Sequence, residues 1–197
     1  MNTEIPNYNF SFGGDEPPTL AKAIKNRRSI RSFLKKPLSM DVVKQLAWAT
    51  QGVNSSKGYR TCPSAGATYP LELYVAHTSG VYHYLPEKNE LKKKSESDIR
   101  RELAVASLGQ MSIAQAPAVF VFTAVLGRTA RRYGDRAERY VNIEVGHCAQ
   151  NLALAVAGME LASYPVGAFS DKKVKDILGA PATHEPLYIV PVGYPSE

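Results

Sequence analysis

The stretch "RAERYVNIEVGHCAQNLALAVAGMEL", Arg136 to Leu161, decides how this chain folds. Its apolar residues run round most of a helical circumference, which predicts the longest helix of the chain and one that belongs in an interior. A chain of 197 residues can build one sizeable core but has limited room to hide such a helix. Part of its surface is therefore expected to be covered by a second copy of the chain, in a homodimer.

On the N-terminal side of that helix, "APAVFVFTAV" (Ala116–Val125) reads as a strand buried on both faces. Before it, "LELYVAH" (Leu71–His77) alternates as a strand, and "VYHYLPEKNEL" (Val81–Leu91) supplies a hairpin partner. A short helix is expected around Asp98 to Gln110. Another fits Met40 to Gln51, with Ser39 as its cap and Gly52 closing it. Val43, Leu46 and Trp48 on that helix are expected to be plain core. Pro17-Pro18-Thr19 starts a further helix, with Leu20 and Ile24 on its apolar side, that runs out near Arg28. On the C-terminal side come a loop at Tyr164–Phe169, a short helix at Asp171–Leu178 stopped by Gly179, and a last strand in "PLYIVPVGYP" (Pro186–Pro195). Helices and strands alternate without strict βαβ repetition, so the expected fold is α+β with a mostly antiparallel sheet. Residues 1–18 read as a flexible segment and 19–197 as one domain.

Lys plus Arg number 24 against 18 Asp plus Glu, a formal charge of +6, which suits an anionic ligand, nucleic acid or a plain basic surface. Lys92-Lys93-Lys94 is followed by Glu96 and Asp98, which fits a solvated hairpin or helix start better than a nucleic-acid groove. No basic region followed by an apolar one opens the chain, and no run reaches the roughly 18 to 20 apolar residues of a membrane span, so a cytosolic protein without a membrane partner is expected. Cys62 and Cys148 match no zinc or CxxC spacing; in a reducing compartment a disulfide is not expected, and both read as ordinary small residues. His77, His83, His147 and His184 are scattered without metal-ligand spacing, so no metal site is expected. His147 and Cys148 are adjacent on a helix and do not face each other, which argues against a base and nucleophile pair.

"NRRSIRSF", Asn26 to Phe33, places three arginines where a helix is ending. A guanidinium fork matches phosphate oxygens in bidentate geometry. Arg27, Arg28, Ser29 and Arg31 could converge on one dianion as the chain leaves its helix, or form a solvated basic helix end that complements the dipole.

Four segments in order, "RRSIRSF", "CPSAGATYPLELYV", "GHCAQNLALAVAGMEL" and "PVGAFSDKKVKDILGAPATHEPLYIVPVGYP", resemble the FMN-dependent nitroreductase superfamily. Within it they look most like the SagB-type, thiazole/oxazole-forming dehydrogenases. The resemblance implies a homodimer with non-covalent FMN at the subunit interface. It assigns Arg27, Arg28, Ser29 and Arg31 to the FMN phosphate and ribityl chain, with Arg31 reaching toward the flavin N1 and O2 edge, where positive charge favours the reduced anion. It assigns Pro63, Ser64, Ala65 and Gly66 to a loop that touches the flavin from the neighbouring subunit, with Thr68 and Tyr69 in place of a polar pair that ends that loop. Gln110 matches a glutamine near the flavin pyrimidine, where an amide both donates and accepts. Pro165, Val166, Gly167 and Ala168 match the loop whose N–H groups approach flavin N5, with Gly167 and Ala168 as the donors.

Two departures stand out. Many relatives add a basic residue from a C-terminal extension after "VPVG"; this sequence ends at Glu197, so more of the phosphate charge is expected to fall on Arg27, Arg28 and Arg31. The Lys-Tyr pair of azoline-oxidising relatives is missing, Arg132-Tyr133 and Arg139-Tyr140 being the nearest substitutes, and arginine is too basic to act as a general base. The implied activity is ping-pong hydride transfer from NAD(P)H through flavin N5 to a nitroaromatic, quinone-like or conjugated small-molecule acceptor. No side chain is expected to be catalytic in its own right. A GxGxxG fingerprint is also missing, as expected if the nicotinamide only visits the flavin face. Three alternatives stay open: a dehydrogenase acting on a peptide-derived azoline, a flavin carrier without turnover, and a non-enzymatic polyanion-binding module.

Overall fold

Side-chain caps set the first two helices. In the computed structural model, which describes residues 19–196, the Thr19 hydroxyl accepts from the Lys22 amide at 3.2 Å and opens α1 (Leu20–Asn26). Ser39 does the same for Val42 at 3.3 Å and opens α2 (Met40–Gln51). These bonds satisfy amides that have no partner inside a helix. Gly52 closes α2 as expected, but with a negative φ of −63°. The reason for glycine is a close approach: a Cβ there would lie 2.1 Å from the Trp48 ring. The segment read as flexible, residues 1–18, lies outside the described residues, as does Glu197.

Six strands form one sheet in the order β3-β2-β1-β4-β6-β5, with every neighbouring pair antiparallel. They are β1 (Leu71–His77), β2 (Gly80–Leu85), β3 (Glu90–Ser95), β4 (Ala118–Ala124), β5 (Ala162–Ser163) and β6 (Glu185–Gly193). The central β4 is buried along its whole length because both faces of the sheet are covered. On one face Leu73, Phe120, Phe122 and Val190 pack with α2 and with α6 (Ala137–Gly158). On the other, Tyr74, Val119, Val121 and Ile189 pack with α3 (Arg100–Ala106), α4 (Ser112–Gln115) and α7 (Asp171–Leu178). Lys92, Lys93 and Lys94 sit exposed on the edge strand β3, where charge discourages a further strand from pairing.

Several sequence expectations need correction. The helix expected from Asp98 to Gln110 breaks after Ala106, because Leu108 and Gly109 take positive φ values of 57° and 76°. Gln110 thus lies in a turn between α3 and α4. The basic helix α5 (Leu126–Tyr133) was not expected; its helical period is carried by Arg128, Arg131 and Arg132 on the exposed side, with only Thr129 buried on the other, so no apolar stripe announces it. On α1 the buried residue is Ala23, whereas Leu20 and Ile24 are exposed. The long helix α6 is buried along Val141, Val145, Cys148, Leu152 and Val156, but Ile143, Gly146, His147 and Gln150 form an exposed face.

Cys62 and Cys148 are not separate small residues. They are paired as a disulfide, with Cα atoms 5.5 Å apart across 86 residues of sequence. That spacing lies within the range a disulfide spans without moving the backbone.

Candidate functional site

The arginine segment leaves α1 at Arg27, whose amide still bonds the Ala23 carbonyl at 2.9 Å. The chain then runs extended and is stitched to distant segments. Ser29 bridges to Ser163 in parallel sense, Ile30 N–H bonds the Ser163 carbonyl at 3.0 Å, and Leu34 N–H bonds the Tyr194 carbonyl at 2.9 Å. This pairing holds Arg27, Arg28 and Arg31 beside the chain that enters the Pro165–Ala168 loop. Arg31 lies over the Tyr164 ring, 5.1 Å from its centroid, and the Tyr164 hydroxyl meets Ser112 at 2.6 Å. Burial raises the Tyr164 phenol above its ordinary value, so it stays neutral under the arginine.

Among the described residues no carboxylate lies within ion-pairing distance of Arg27, Arg28 or Arg31. Arg28 directs one nitrogen to the carbonyls of Lys25 and Arg27, at 3.0 and 2.8 Å. Arg27 and Arg28 line a cavity of about 220 Å³ together with Ser163, the end of α6 at Val156 and Ala157, and Glu160 just beyond it. Three guanidinium charges without described acidic partners are what a dianionic phosphate requires.

The Pro165–Ala168 loop is anchored through its second residue. Val166 and Ile189 exchange both backbone bonds, at 2.7 and 3.0 Å. The amides of Gly167 and Ala168, by contrast, have no partner among the described residues, and both residues are exposed. Gln110 reaches this loop: its Nε2 donates to the Ser107 carbonyl at 3.0 Å and lies 3.4 Å from the Ala168 carbonyl. Its Oε1 is left to accept. Arg27, Arg28, Ser29, Arg31, Gln110 and Pro165–Ala168 are therefore brought to one region, through backbone pairing between segments over 130 residues apart in sequence.

Pro63, Ser64, Ala65 and Gly66 lie elsewhere on the same chain. They form a tight turn in which Gly66 has φ 58°, and the Gly66 carbonyl accepts from Arg132 at 3.3 Å. Thr68 closes the turn, its hydroxyl bonded to the Ala65 carbonyl at 3.0 Å and to Thr129 on α5 at 2.9 Å. The Ser64 hydroxyl accepts from the Tyr69 amide at 2.9 Å. This turn rests on α6 near Glu144 and Cys148, whereas the arginine cavity rests near Val156. Glu144 and Val156 are about 18 Å apart along the helix axis. One chain therefore holds the two groups of residues separately.

Reading the sequence overlooked Glu144, a carboxyl only 3 % exposed within an apolar helix. Burial pushes it up to about 7, against the Ser64 hydroxyl and the charge of Arg60. Its Oε1 has no hydrogen-bond partner. A lone acid on the buried side, between Val141, Val145 and Cys148, was the signal available. A second polar cluster was also missed. Glu72 bonds His83 at 2.6 Å and Arg128, while Tyr74 meets His184 at 2.9 Å. No cluster of His, Cys, Asp or Glu suited to a metal occurs among the described residues. His147 is exposed, and the neighbouring Cys148 is in the disulfide. No helix is long and apolar enough to cross a membrane, among the described residues.

The six-stranded antiparallel sheet, with helices on both faces and one long helix, defines an α+β oxidoreductase of nitroreductase-like fold. The chain belongs to the Nitroreductase family, whose profile matches residues 24–194. It is 41 % identical over 180 residues to the Methanocaldococcus jannaschii protein "Putative nitroreductase MJ1384", covering 88 % of this chain and 90 % of that one. The crystal structure of a "putative nitroreductase" from Ralstonia eutropha superposes at a TM-score of 0.84 with 27 % identity, covering 93 % of this chain and 86 % of that one. A chain of the Escherichia coli microcin synthetase McbBCD complex, bound to truncated pro-MccB17, superposes at 0.76 with 20 % identity, covering all (100 %) of this chain and 79 % of that one. At that identity the likeness is one of fold.

Proposed function

We propose that this oxidoreductase works as a cytosolic homodimer carrying FMN at the subunit interface, passing hydride from NAD(P)H to a nitroaromatic, quinone-like or conjugated acceptor. The observation that carries this reading is the union of Arg27, Arg28 and Arg31, without described acidic partners, with a loop whose Gly167 and Ala168 amides are both open. When bound, FMN supplies a ring nitrogen that accepts and returns hydride, so the protein needs no nucleophile of its own. Arg27 and Arg28 would hold the phosphate, Ser29 the ribityl chain, and Arg31 the electron-rich edge of the ring. The Gly167 and Ala168 amides would orient the reacting edge, and the Gln110 amide the pyrimidine.

The separation of Pro63–Gly66 from the arginines supports the two-subunit form. A second copy packed on the exposed face of α6 can bring its own turn, with Thr68 behind it, to the first copy's flavin. Ile143, 50 % exposed on that face, gives it apolar area to cover.

The test is a visible spectrum. The purified protein should be yellow, should bleach with NAD(P)H and should recover colour with an acceptor; the double variant Arg27→Ala/Arg31→Ala should be colourless, with the thermal stability of the flavin-free wild-type protein. A colourless wild-type protein that takes up no FMN would refute the reading. Azoline oxidation is the second reading, favoured by the fold shared with the McbBCD complex. Against it, the residue pair touching Gly66 is Arg132 and Tyr133, with no lysine to take a proton.

A further inference from the structure

The Cys62–Cys148 pair occupies a particular place in this fold. Cys62 is the last residue before the Pro63–Gly66 turn, and Cys148 lies at the middle of α6. The cross-link therefore joins a loop to the helix that carries the exposed Ile143 face. The stretch it restrains, Gly52 to Pro70, is irregular apart from the Val53–Arg60 bridge and the short turn at Ala65–Ala67, and its described ties to the rest of the chain other than the disulfide, among them Thr61 to the Trp48 carbonyl, Arg60 to Gln51 and the Gly66 carbonyl to Arg132, are all non-covalent. Thr61 and Asn151 supply one, at 3.1 Å, and Thr68 with Thr129 another.

The surroundings suit the sulfurs in either oxidation state. A Cys62 thiol has the Glu144 backbone carbonyl at 3.6 Å as an acceptor, and the Pro63 carbonyl at 3.7 Å. The Cys148 sulfur receives the Gln51 amide at 2.9 Å, while the Gln51 oxygen is held by Arg60 at 2.7 Å. Opening the bond thus strands no buried polar group, and the two thiols remain as small core residues. Both sulfurs belong to residues at most 1 % exposed, yet Pro63 is at the surface, so Cys62 lies one residue beneath it and becomes reachable when the turn lifts.

We propose that Cys62 and Cys148 are a reversible thiol–disulfide site whose oxidation state sets the order of the Pro63–Gly66 turn. Resting on the FMN reading above, it thereby sets flavin affinity. In the closed state the cross-link removes freedom from the turn before any ligand arrives, so less ordering remains to be done on binding. In the open state only the non-covalent ties of the turn remain, so it keeps more freedom that binding has to remove. Closure takes two electrons and two protons from the thiols; with a peroxide as oxidant these form two molecules of water and one S–S bond. A dithiol reverses the step, its two thiol protons passing to Cys62 and Cys148 as its own disulfide forms.

The experiment uses the full-length protein treated with hydrogen peroxide or with dithiothreitol, and the variants Cys62→Ser and Cys148→Ser. Peptide mapping after alkylation reads the bond, hydrogen exchange over residues 60–70 reads the turn, and fluorescence titration reads FMN affinity. The expected result is a cystine after peroxide, exchange of the turn at least tenfold faster after dithiothreitol, and FMN binding about tenfold weaker in the reduced state. Both serine variants should match the reduced protein under either treatment. Alkylated thiols after peroxide, or identical exchange of the turn in the two states, would overturn the proposal. If the turn responds but FMN binds to neither state, the redox site stands and the FMN reading fails. If FMN binds equally to both states, the control of affinity fails and the FMN reading stands.

Discussion

The carboxyl of Glu144, buried on the long helix, faces the hydroxyl of Ser64 at the head of the Pro63–Gly66 turn. Burial holds that carboxyl up at about 7, while the Ser64 hydroxyl and Arg60 pull the other way. A folded-state value above the ordinary 4.5 means that the folded protein keeps an extra proton between about pH 4.5 and pH 7. Its contribution to stability is therefore full below pH 4.5 and is lost as pH rises through 7. Replacing it by an uncharged isostere, Glu144→Gln, should raise the melting temperature at pH 8, by an amount of order 2–3 kcal/mol in unfolding free energy, and change little at pH 5. Thermal melts of both proteins at the two pH values check this; an equal shift at both would show that Glu144 is not neutral in the fold.

Glu72 carries the opposite sign. Burial alone would raise its carboxyl, but the hydrogen bonds and charges of His83 and Arg128 together outweigh it and hold the group down at about 2. Its stabilisation is present above pH 4.5 and disappears as pH falls toward 2. Glu72→Gln should destabilise the protein at pH 7 by about 2–3 kcal/mol and lose that difference near pH 2, as read from urea midpoints across pH.

Gly66 is held at φ 58°, and a Cβ there would lie 2.6 Å from the Tyr133 hydroxyl. Gly66→Ala should cost about 1–2 kcal/mol from the left-handed backbone alone, with a further steric loss. Removing the hydroxyl, in Gly66→Ala/Tyr133→Phe, should recover the steric part only. Denaturant unfolding of the two variants separates the contributions, and full recovery in the double variant would contradict the backbone argument.

The exposed Ile143 side chain offers a test of the proposed homodimer. Ile143→Glu should yield a folded monomer that loses FMN, because each turn at Pro63–Gly66 would then have no neighbouring flavin to meet. Sedimentation and the visible spectrum measure the two effects together. A charged variant that stays dimeric and yellow would place the interface on another face.

Much of the architecture was legible from local chemistry. Thr19 and Ser39 cap their helices through bonds to the third residue onward, and such bonds depend only on neighbours. The unbroken apolar run of β4 announced a strand covered on both sides, and the order of four short segments identified the family. Local pattern did not reveal α5, whose exposed arginines give no apolar stripe, nor the break at Leu108 and Gly109, where backbone sign matters more than side-chain type.

What the sequence determined by itself is most of the helices and strands, though not α5, β5 or the break after α3, and the arginines at the end of α1. Only the tertiary structure decided that Cys62 meets Cys148, that Glu144 lies beneath Ser64, and that Ser29 pairs with Ser163 while Pro63–Gly66 remains far along the same helix. The physical reason is range. Caps and periodicity are settled within a turn or two of the chain, whereas these meetings depend on how a sheet of six strands stacks against α6 and so brings distant segments to one surface.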